Sequence, residues 1–233
     1  MHEHSILYGI LNPFFESLFG FKVEDHILNG FFILLFLIIF SFILKKYILK
    51  MGVENPSKFQ SLIEVITKGL IDLMEDIIGH NSGAKFLPIV GAFAFFIFFC
   101  NISGLFFFLN PATSNPNTTF ALSITAFLLY NIQGIGKFKG KYIKQFLGPM
   151  LATAIIIFPV EIVSHSVRAL SLGLRLYGNM FGEHTISGFI SNMMPLFAPL
   201  PMMALGLIAA TMQTFIFVVL FMVYVGGALA EEH

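Results

Sequence analysis

Residues 159–184, PVEIVSHSVRALSLGLRLYGNMFGEH, combine a mostly apolar composition with both arginines of the chain. Apolar sequence flanks this stretch on either side, which predicts that it lies inside a membrane. Ionisable side chains at membrane depth are costly and usually mark an ion or substrate path. The alternative is that these polar groups only satisfy one another inside a helix bundle. Their arrangement along the helix favours the first interpretation.

At about 100° per residue, the polar side chains of this stretch fall within roughly a third of a helix circumference. At a rise of about 1.5 Å per residue they extend on the order of 33 Å, close to the hydrocarbon thickness of a bilayer. The pattern predicts a path, or a contact surface, for something charged. This set, called the polar stripe below, consists of Glu161, Ser164, His165, Arg168, Ser171, Arg175, Asn179 and Glu183.

The composition predicts a polytopic membrane protein, because 57% of its 233 residues are hydrophobic and only 11% are charged. The formal net charge is zero, which gives no indication of a nucleic-acid partner. The single cysteine, Cys100, permits no internal disulfide. The N-terminus does not show the pattern of a removable signal peptide. We expect a single membrane domain over residues 1–233.

The apolar segments predict an all-α fold of about five membrane helices. Lysines follow the first and third segments, so by the positive-inside rule these ends are cytoplasmic and residues 1–26 lie outside. Residues 57–79 place apolar and charged side chains on opposite helix faces and are too polar to span, which predicts an amphipathic helix at the cytoplasmic interface. The first three spans are predicted at residues 27–44, 86–109 and 120–134.

The last third of the chain, residues 146–233, is predicted to form a long helical hairpin. Residues 146–189 as one helix would extend about 65 Å, roughly twice the membrane, so this segment must be bent, broken into a hairpin or steeply tilted. Residues 201–229 exceed the membrane more mildly, and tilt can absorb the difference. The three prolines of MMPLFAPLP at 193–201 predict the reversal, and the C-terminus is then cytoplasmic.

Arg175 is the leading candidate for a functional charge. Because a guanidinium stays protonated, it can attract and release a carboxylate but cannot pass a proton onward, which suits an electrostatic gate. The alternative is a structural arginine paired to Glu161 or Glu183. Arg168 either shares the functional face or has a structural role near the cytoplasmic side.

Relay candidates are the amides and imidazoles of the long helices. Asn179 lies one turn beyond Arg175, and Gln213 is the strongly polar side chain deep in the last span, where helix packing is its alternative role. His165 and His184 can titrate near neutral pH, although a buried histidine often only satisfies hydrogen bonds. No residue spacing is typical of a metal site, a cofactor site or a catalytic triad, so no enzyme activity is predicted for the chain.

SLGLRLYGNMFGEH at residues 171–184 resembles the most characteristic motif of the a subunit of bacterial F-type ATP synthases. NISGLFFFLNPATSNPNTTFAL at 101–122 and MQTFIFVVLFMVYVGGALAEEH at 212–233 resemble that family's third-helix exit with its following loop and its last helix. The resemblance implies a non-catalytic stator subunit in the bacterial plasma (inner) membrane. Its implied partners are the c-subunit ring, the b-subunit peripheral stalk, the remaining synthase subunits and the lipid bilayer.

The resemblance also implies roles for single residues. Arg175 would face the essential carboxylate of the ring, force it to lose its proton and separate two offset half-channels. The two long helices, tilted against the ring, would account for the overlong segments. The outer half-channel would involve Asn179, His184 and Gln213, and the inner one Glu161, Ser164, His165 and Ser171.

The outer end departs from the pattern of enteric relatives, which carry a glutamate nine residues after the motif arginine and a partner histidine on the last helix. Here these positions hold His184 and Gly206, and the acid is next door at Glu183. The outer relay is therefore predicted to run through His184 with a water or Glu183.

Two other classes of protein fit the composition. A stand-alone ion-coupled secondary transporter should show inverted repeats and broken helices in both halves, and neither is found in the sequence. A purely structural membrane anchor would tolerate loss of the polar stripe.

Overall fold

The structure is a computed structural model that describes residues 6–19, 22–50, 58–79, 83–106, 109–139, 151–193 and 199–229. Within these ranges the chain is helical and contains no strand, which confirms the all-α prediction. A short 3₁₀ turn, Ala112–Ser114, lies between the fourth and fifth helices. The helices are α1 (Ile6–Phe19), α2 (Asp25–Lys50), α3 (Lys58–Ile78), α4 (Gly83–Ser103), α5 (Pro116–Phe138), α6 (Leu151–Met193) and α7 (Pro199–Leu229).

Five of the described helices, α2 and α4 to α7, are long and apolar enough to cross a membrane. This confirms the prediction of a polytopic membrane protein. Helix α3 is the amphipathic segment, and it buries only Met74 completely. Helix α1 was not predicted, because the mixed composition of residues 1–26 gave no clear apolar stripe; it packs against α2.

Helix α6 is one continuous helix of 43 residues and accommodates Pro159 in its interior. Its length is about 65 Å, so the alternative of a break into a hairpin within this segment is wrong. Helix α7 has 31 residues, about 45 Å. The predicted reversal falls between the two helices, and its residues 194–198 lie outside the described part of the chain.

The core lies between α4, α5, α6, α7 and the second half of α3. Aromatic rings fill its centre: the ring of Phe93 lies 5.7 Å from that of Phe217 and 5.1 Å from that of Phe221. Such offset and tilted pairs stabilise a core beyond the area they bury. On the outer surface of α2, by contrast, large apolar side chains such as Phe42 are exposed, as expected of a lipid-facing helix.

Polar contacts fix which helix ends lie together. Lys137 Nζ, at the end of α5, donates a hydrogen bond of 2.9 Å to the carbonyl oxygen of Leu229, at the end of α7. A cation at a helix C-terminus is favourable because it satisfies a terminal carbonyl and opposes the helix dipole. At the other end Asn110 Nδ2 donates to Asp25 Oδ2 over 2.8 Å. The lysines that end α2 and α5 therefore lie on one side of the bundle, as the predicted orientation requires.

Helices α5 and α6 approach closely at Gly173, where a β-carbon would lie 2.7 Å from Ser123 Oγ and 3.0 Å from the ring of Phe120. We expect Gly173→Ala to lower the free energy of unfolding by about 1–3 kcal/mol, because the added methyl overpacks this contact. Gly188→Ala on the same helix is the matched control, since no heavy atom lies within 4 Å of its β-carbon position. Unfolding titrations in detergent measure both. Equal stability of the two variants would contradict the predicted contact.

Candidate functional site

The polar stripe of α6 lies at the edge of the surface that α6 buries against the other helices. Leu172, Leu176 and Met180, at helical spacing, are almost completely buried and form that surface. The stripe residues form the next row around the helix, so their side chains lie between the bundle interior and the exposed side of α6. This exposed side is called the open side of α6 below. Ser164 and Ser171 are both half-buried at this edge.

Arg175 lies near the middle of α6 with its side chain exposed. No hydrogen bond or ion pair to it is found within the described ranges. The structural pairing with Glu161 or Glu183 is not formed, because Glu161 contacts His165 and Glu183 packs against α7. A guanidinium at membrane depth is costly without an anionic partner.

Asn179 and Gln213 join α6 to α7 one turn beyond Arg175. Asn179 Nδ2 donates to Gln213 Oε1 over 2.6 Å. Gln213 is 2% exposed, and its Nε2 is buried without a hydrogen-bond partner in the described part of the chain. A buried amide donor without a partner is unfavourable unless water or another group reaches it. The two predicted relay amides are therefore in contact, and the Gln213 NH₂ group has no partner among the described residues.

Glu183 lies a further turn along α6, against Gly206 of α7. A β-carbon on Gly206 would collide with the Glu183 carboxylate, so the missing side chain provides the space for it. The other carboxylate oxygen, Oε2, is buried, and among the described residues it has no hydrogen-bond partner. His184 is exposed instead. The structure thus brings the acid, rather than the imidazole, into the contact between α6 and α7.

A buried polar network fixes the rotation of α7 beside this contact. Thr113 Oγ1, in the 3₁₀ turn, donates to Asn101 Oδ1 of α4 over 2.7 Å. Asn101 Nδ2 in turn lies 3.5 Å from Thr214 Oγ1 on α7. Since Thr214 is the neighbour of Gln213, the network holds the glutamine toward α6.

At the Glu161 end of the stripe, a hydrogen-bonded chain crosses from α6 to α5. Glu161 Oε1 lies 3.1 Å from His165 Nε2, and His165 Nδ1 lies 2.9 Å from the hydroxyl of Tyr130 on α5. Tyr130 is 2% exposed. This tyrosine was not among the predicted site residues, and its one signal in the sequence is a hydroxyl at the end of the apolar run AFLLY.

Arg168 also has a partner within the chain. Its guanidinium lies 5.9 Å from the ring centroid of Tyr224 on α7, a cation–π distance. Among the described residues, Arg168 therefore has a cation–π partner, whereas no hydrogen bond, ion pair or cation–π contact of Arg175 is found.

Comparison with known proteins shows which family the chain belongs to. The profile of the family described as ATP synthase A chain matches residues 28–226. The chain belongs to this ATP synthase family. It is 36% identical to ATP synthase subunit a 1 of Syntrophotalea carbinolica over 215 residues, covering 92% of this chain and 89% of the relative.

Two further relatives extend the comparison. ATP synthase subunit a of Bdellovibrio bacteriovorus is 40% identical over 186 residues, 78% of this chain and 80% of that protein. The Sulfurihydrogenibium sp. subunit a is 35% identical over 213 residues, 91% of this chain and the full length of that protein. The predicted family is confirmed. As a member of the ATP synthase A chain family, the chain is a multi-pass subunit of the membrane sector and takes part in proton transport and ATP synthesis.

Proposed function

We propose that this chain is the proton-translocating stator subunit of a bacterial F-type ATP synthase, without catalytic activity of its own. Arg175 acts as the charge gate against the carboxylates of a c-subunit ring. The observation that carries this proposal is the exposed Arg175 side chain, which has no anionic partner among the described residues. A ring carboxylate that passes the open side of α6 would supply that partner.

The stripe then divides at Arg175 into two half-channels. Asn179, Gln213 and Glu183 belong to the outer one, since the two amides bond to each other between α6 and α7 and the Glu183 carboxylate lies against Gly206 of α7. The inner one contains Glu161 and His165 at the opposite end of the stripe, together with Ser164, Ser171 and Arg168. Each half-channel ends near Arg175, so a proton can cross only while it is bound to a carboxylate of the rotating ring. Because the guanidinium cannot give up its own proton, it blocks a direct leak between the two halves.

This division matches the energetics of a rotary motor. One elementary charge that crosses 100 mV releases about 2.3 kcal/mol, so several protons must pass for each ATP made. The b-subunit stalk would hold the chain still while the ring turns. The lysine-rich ends of α2 and α5 face the cytoplasm, together with the C-terminus, and residues 1–26 lie outside.

A triple variant separates a channel subunit from a structural anchor. We expect Glu161→Gln, Asn179→Leu and Gln213→Leu together to reduce ATP-driven proton pumping in inverted membrane vesicles by on the order of 100-fold, because both half-channels lose polar groups. Pumping is followed by quenching of a pH-sensitive dye.

The matched control is the double variant Ser166→Ala and Thr211→Val. These hydroxyls lie on the same two helices but bond to carbonyls of their own helix, at 2.8 Å and 2.7 Å. The control should pump at nearly the normal rate. Normal pumping by the triple variant, at normal subunit levels, would favour the anchor.

A further inference from the structure

The hydrogen-bonded chain Tyr130–His165–Glu161 has a buried end and an open end. Tyr130 is fixed by its surroundings: its ring lies 5.4 Å from that of Phe127 and 5.9 Å from that of Tyr224. The His165 side chain is 13% exposed and that of Glu161 is 33% exposed. The chain therefore connects a hydroxyl in the bundle interior to a carboxylate that is one-third exposed.

The direction of the hydrogen bonds follows from the charge of Glu161. A carboxylate only accepts, so His165 Nε2 carries the hydrogen toward Glu161 Oε1. In a neutral imidazole Nδ1 must then accept, and it accepts from the Tyr130 hydroxyl. Tyr130 thus selects the tautomer and orients the ring, as second partners of functional histidines commonly do. Glu161 can still bind a proton on its other oxygen, Oε2, without breaking this arrangement.

Protonation of the His165 imidazole changes the direction of one hydrogen bond and the charge next to Glu161. Both ring nitrogens then donate, Nδ1 toward the Tyr130 oxygen and Nε2 toward Glu161 Oε1. The carboxylate becomes half of an ion pair in a partly buried site, and a positive neighbour makes a carboxylate bind its proton less readily.

The described groups around His165 lie on its own helix and on α5. The charged residues of α6 that act on His165 are Glu161 and Arg168, and the guanidinium of Arg168 also lies 5.9 Å from the ring centroid of Tyr224 on α7. Helix α5 contributes the phenol of Tyr130, and Lys137, two turns further along α5, donates to the end of α7.

We propose that Tyr130 and His165 are positioning residues for Glu161, which hold its carboxylate in place and make its proton exchange depend on the charge of the imidazole. The inference rests on the proposed function, in which Glu161 belongs to the inner half-channel. A neutral His165 lets Glu161 take a proton from the ring side and release it to cytoplasmic water. A protonated His165 holds Glu161 as an ion-paired carboxylate and slows this exchange when the cytoplasm becomes acidic.

The test is passive proton flux through the membrane sector in inverted vesicles from which the catalytic head has been removed. A potassium diffusion potential drives the flux, and the outer medium sets the pH at the cytoplasmic face. His165→Gln keeps a donor and an acceptor but does not titrate. We expect the ratio of wild-type to His165→Gln flux to fall about threefold or more as this pH is lowered from about 8 to about 6, through the range where histidine titrates. A ratio that stays constant with pH would overturn the proposal.

Acidifying the vesicle interior instead should leave the ratio unchanged, because that side faces the outer half-channel. A ratio that changes equally from both sides would contradict the assignment to the inner end.

Tyr130→Phe tests the positioning role separately. It should lower flux in the wild-type background and have no further effect in a His165→Leu background, since it acts only through the imidazole. Additive losses would assign Tyr130 to packing and overturn its part in the proposal. If the Tyr130→Phe subunit fails to assemble into the membrane sector, the pH dependence of the wild-type to His165→Gln flux ratio still tests the proposal.

Glu161→Gln separates this inference from the proposed function. Normal flux in Glu161→Gln would remove Glu161 from the proton path and overturn both together. A strong loss in Glu161→Gln combined with a pH-independent flux ratio for His165→Gln would overturn only the positioning inference.

Discussion

Arg175→Ala abolishes ATP-driven proton pumping in inverted vesicles, with an expected loss on the order of 100-fold or more, while ATP hydrolysis by the detached catalytic head stays normal. In the proposed mechanism the guanidinium draws the proton off an arriving ring carboxylate and separates the two half-channels, so its removal eliminates both effects. Dye quenching measures pumping, and phosphate release measures hydrolysis.

Arg168→Ala is the matched control, because Arg168 lies on the same helix and the same stripe but has a cation–π contact with Tyr224. It should retain a substantial part of the pumping. Arg175→Lys adds a second comparison: it preserves the charge but not the planar fork that recognises a carboxylate through two hydrogen bonds, so we expect a severe loss there too. Normal pumping by Arg175→Ala would falsify the gate.

Glu183→Gln is expected to lower pumping by about 10- to 100-fold, because it removes the titrating group from the contact between α6 and α7. The amide preserves the size of the side chain but cannot accept and release a proton. Glu183→Asp should preserve part of the activity. The readout is again dye quenching, normalised to the amount of subunit in the membrane.

His184→Gln distinguishes the two relays that the sequence left open. Because His184 is exposed while Glu183 lies against Gly206, we expect His184→Gln to lose much less pumping than Glu183→Gln. The opposite order would assign the outer relay to His184. Gly206→Leu offers an independent check, because the leucine side chain would occupy the space of the Glu183 carboxylate. The loss of pumping in this variant should therefore resemble that in Glu183→Gln.

The bundle as a whole could be predicted from the sequence because lipid imposes simple constraints. A span must be apolar for about 20 residues and must satisfy its backbone hydrogen bonds internally, so α2, α4 and α5 are visible as apolar runs between polar loops. The same constraint makes a charged stripe on α6 conspicuous. Helix α1 lacks such a run, and no comparable constraint predicted it.

Helix continuity was harder to predict. A segment of 43 residues with an internal proline is compatible with a bend, a hairpin or a single tilted helix, because each of these conformations can satisfy the backbone hydrogen bonds. In the structure this segment is one continuous helix that packs against α5 and α7.

The sequence by itself determined the family, the helical class and the identity of the polar stripe, because each follows from residue types and their spacing along one helix. The tertiary structure decided which stripe residues have partners. In the structure Asn179 contacts Gln213, Glu183 contacts Gly206 and His165 contacts Tyr130, whereas Arg175 is exposed. Periodicity defines the face of one helix, but the depth and rotation of the neighbouring helix depend on how the side chains of both pack together.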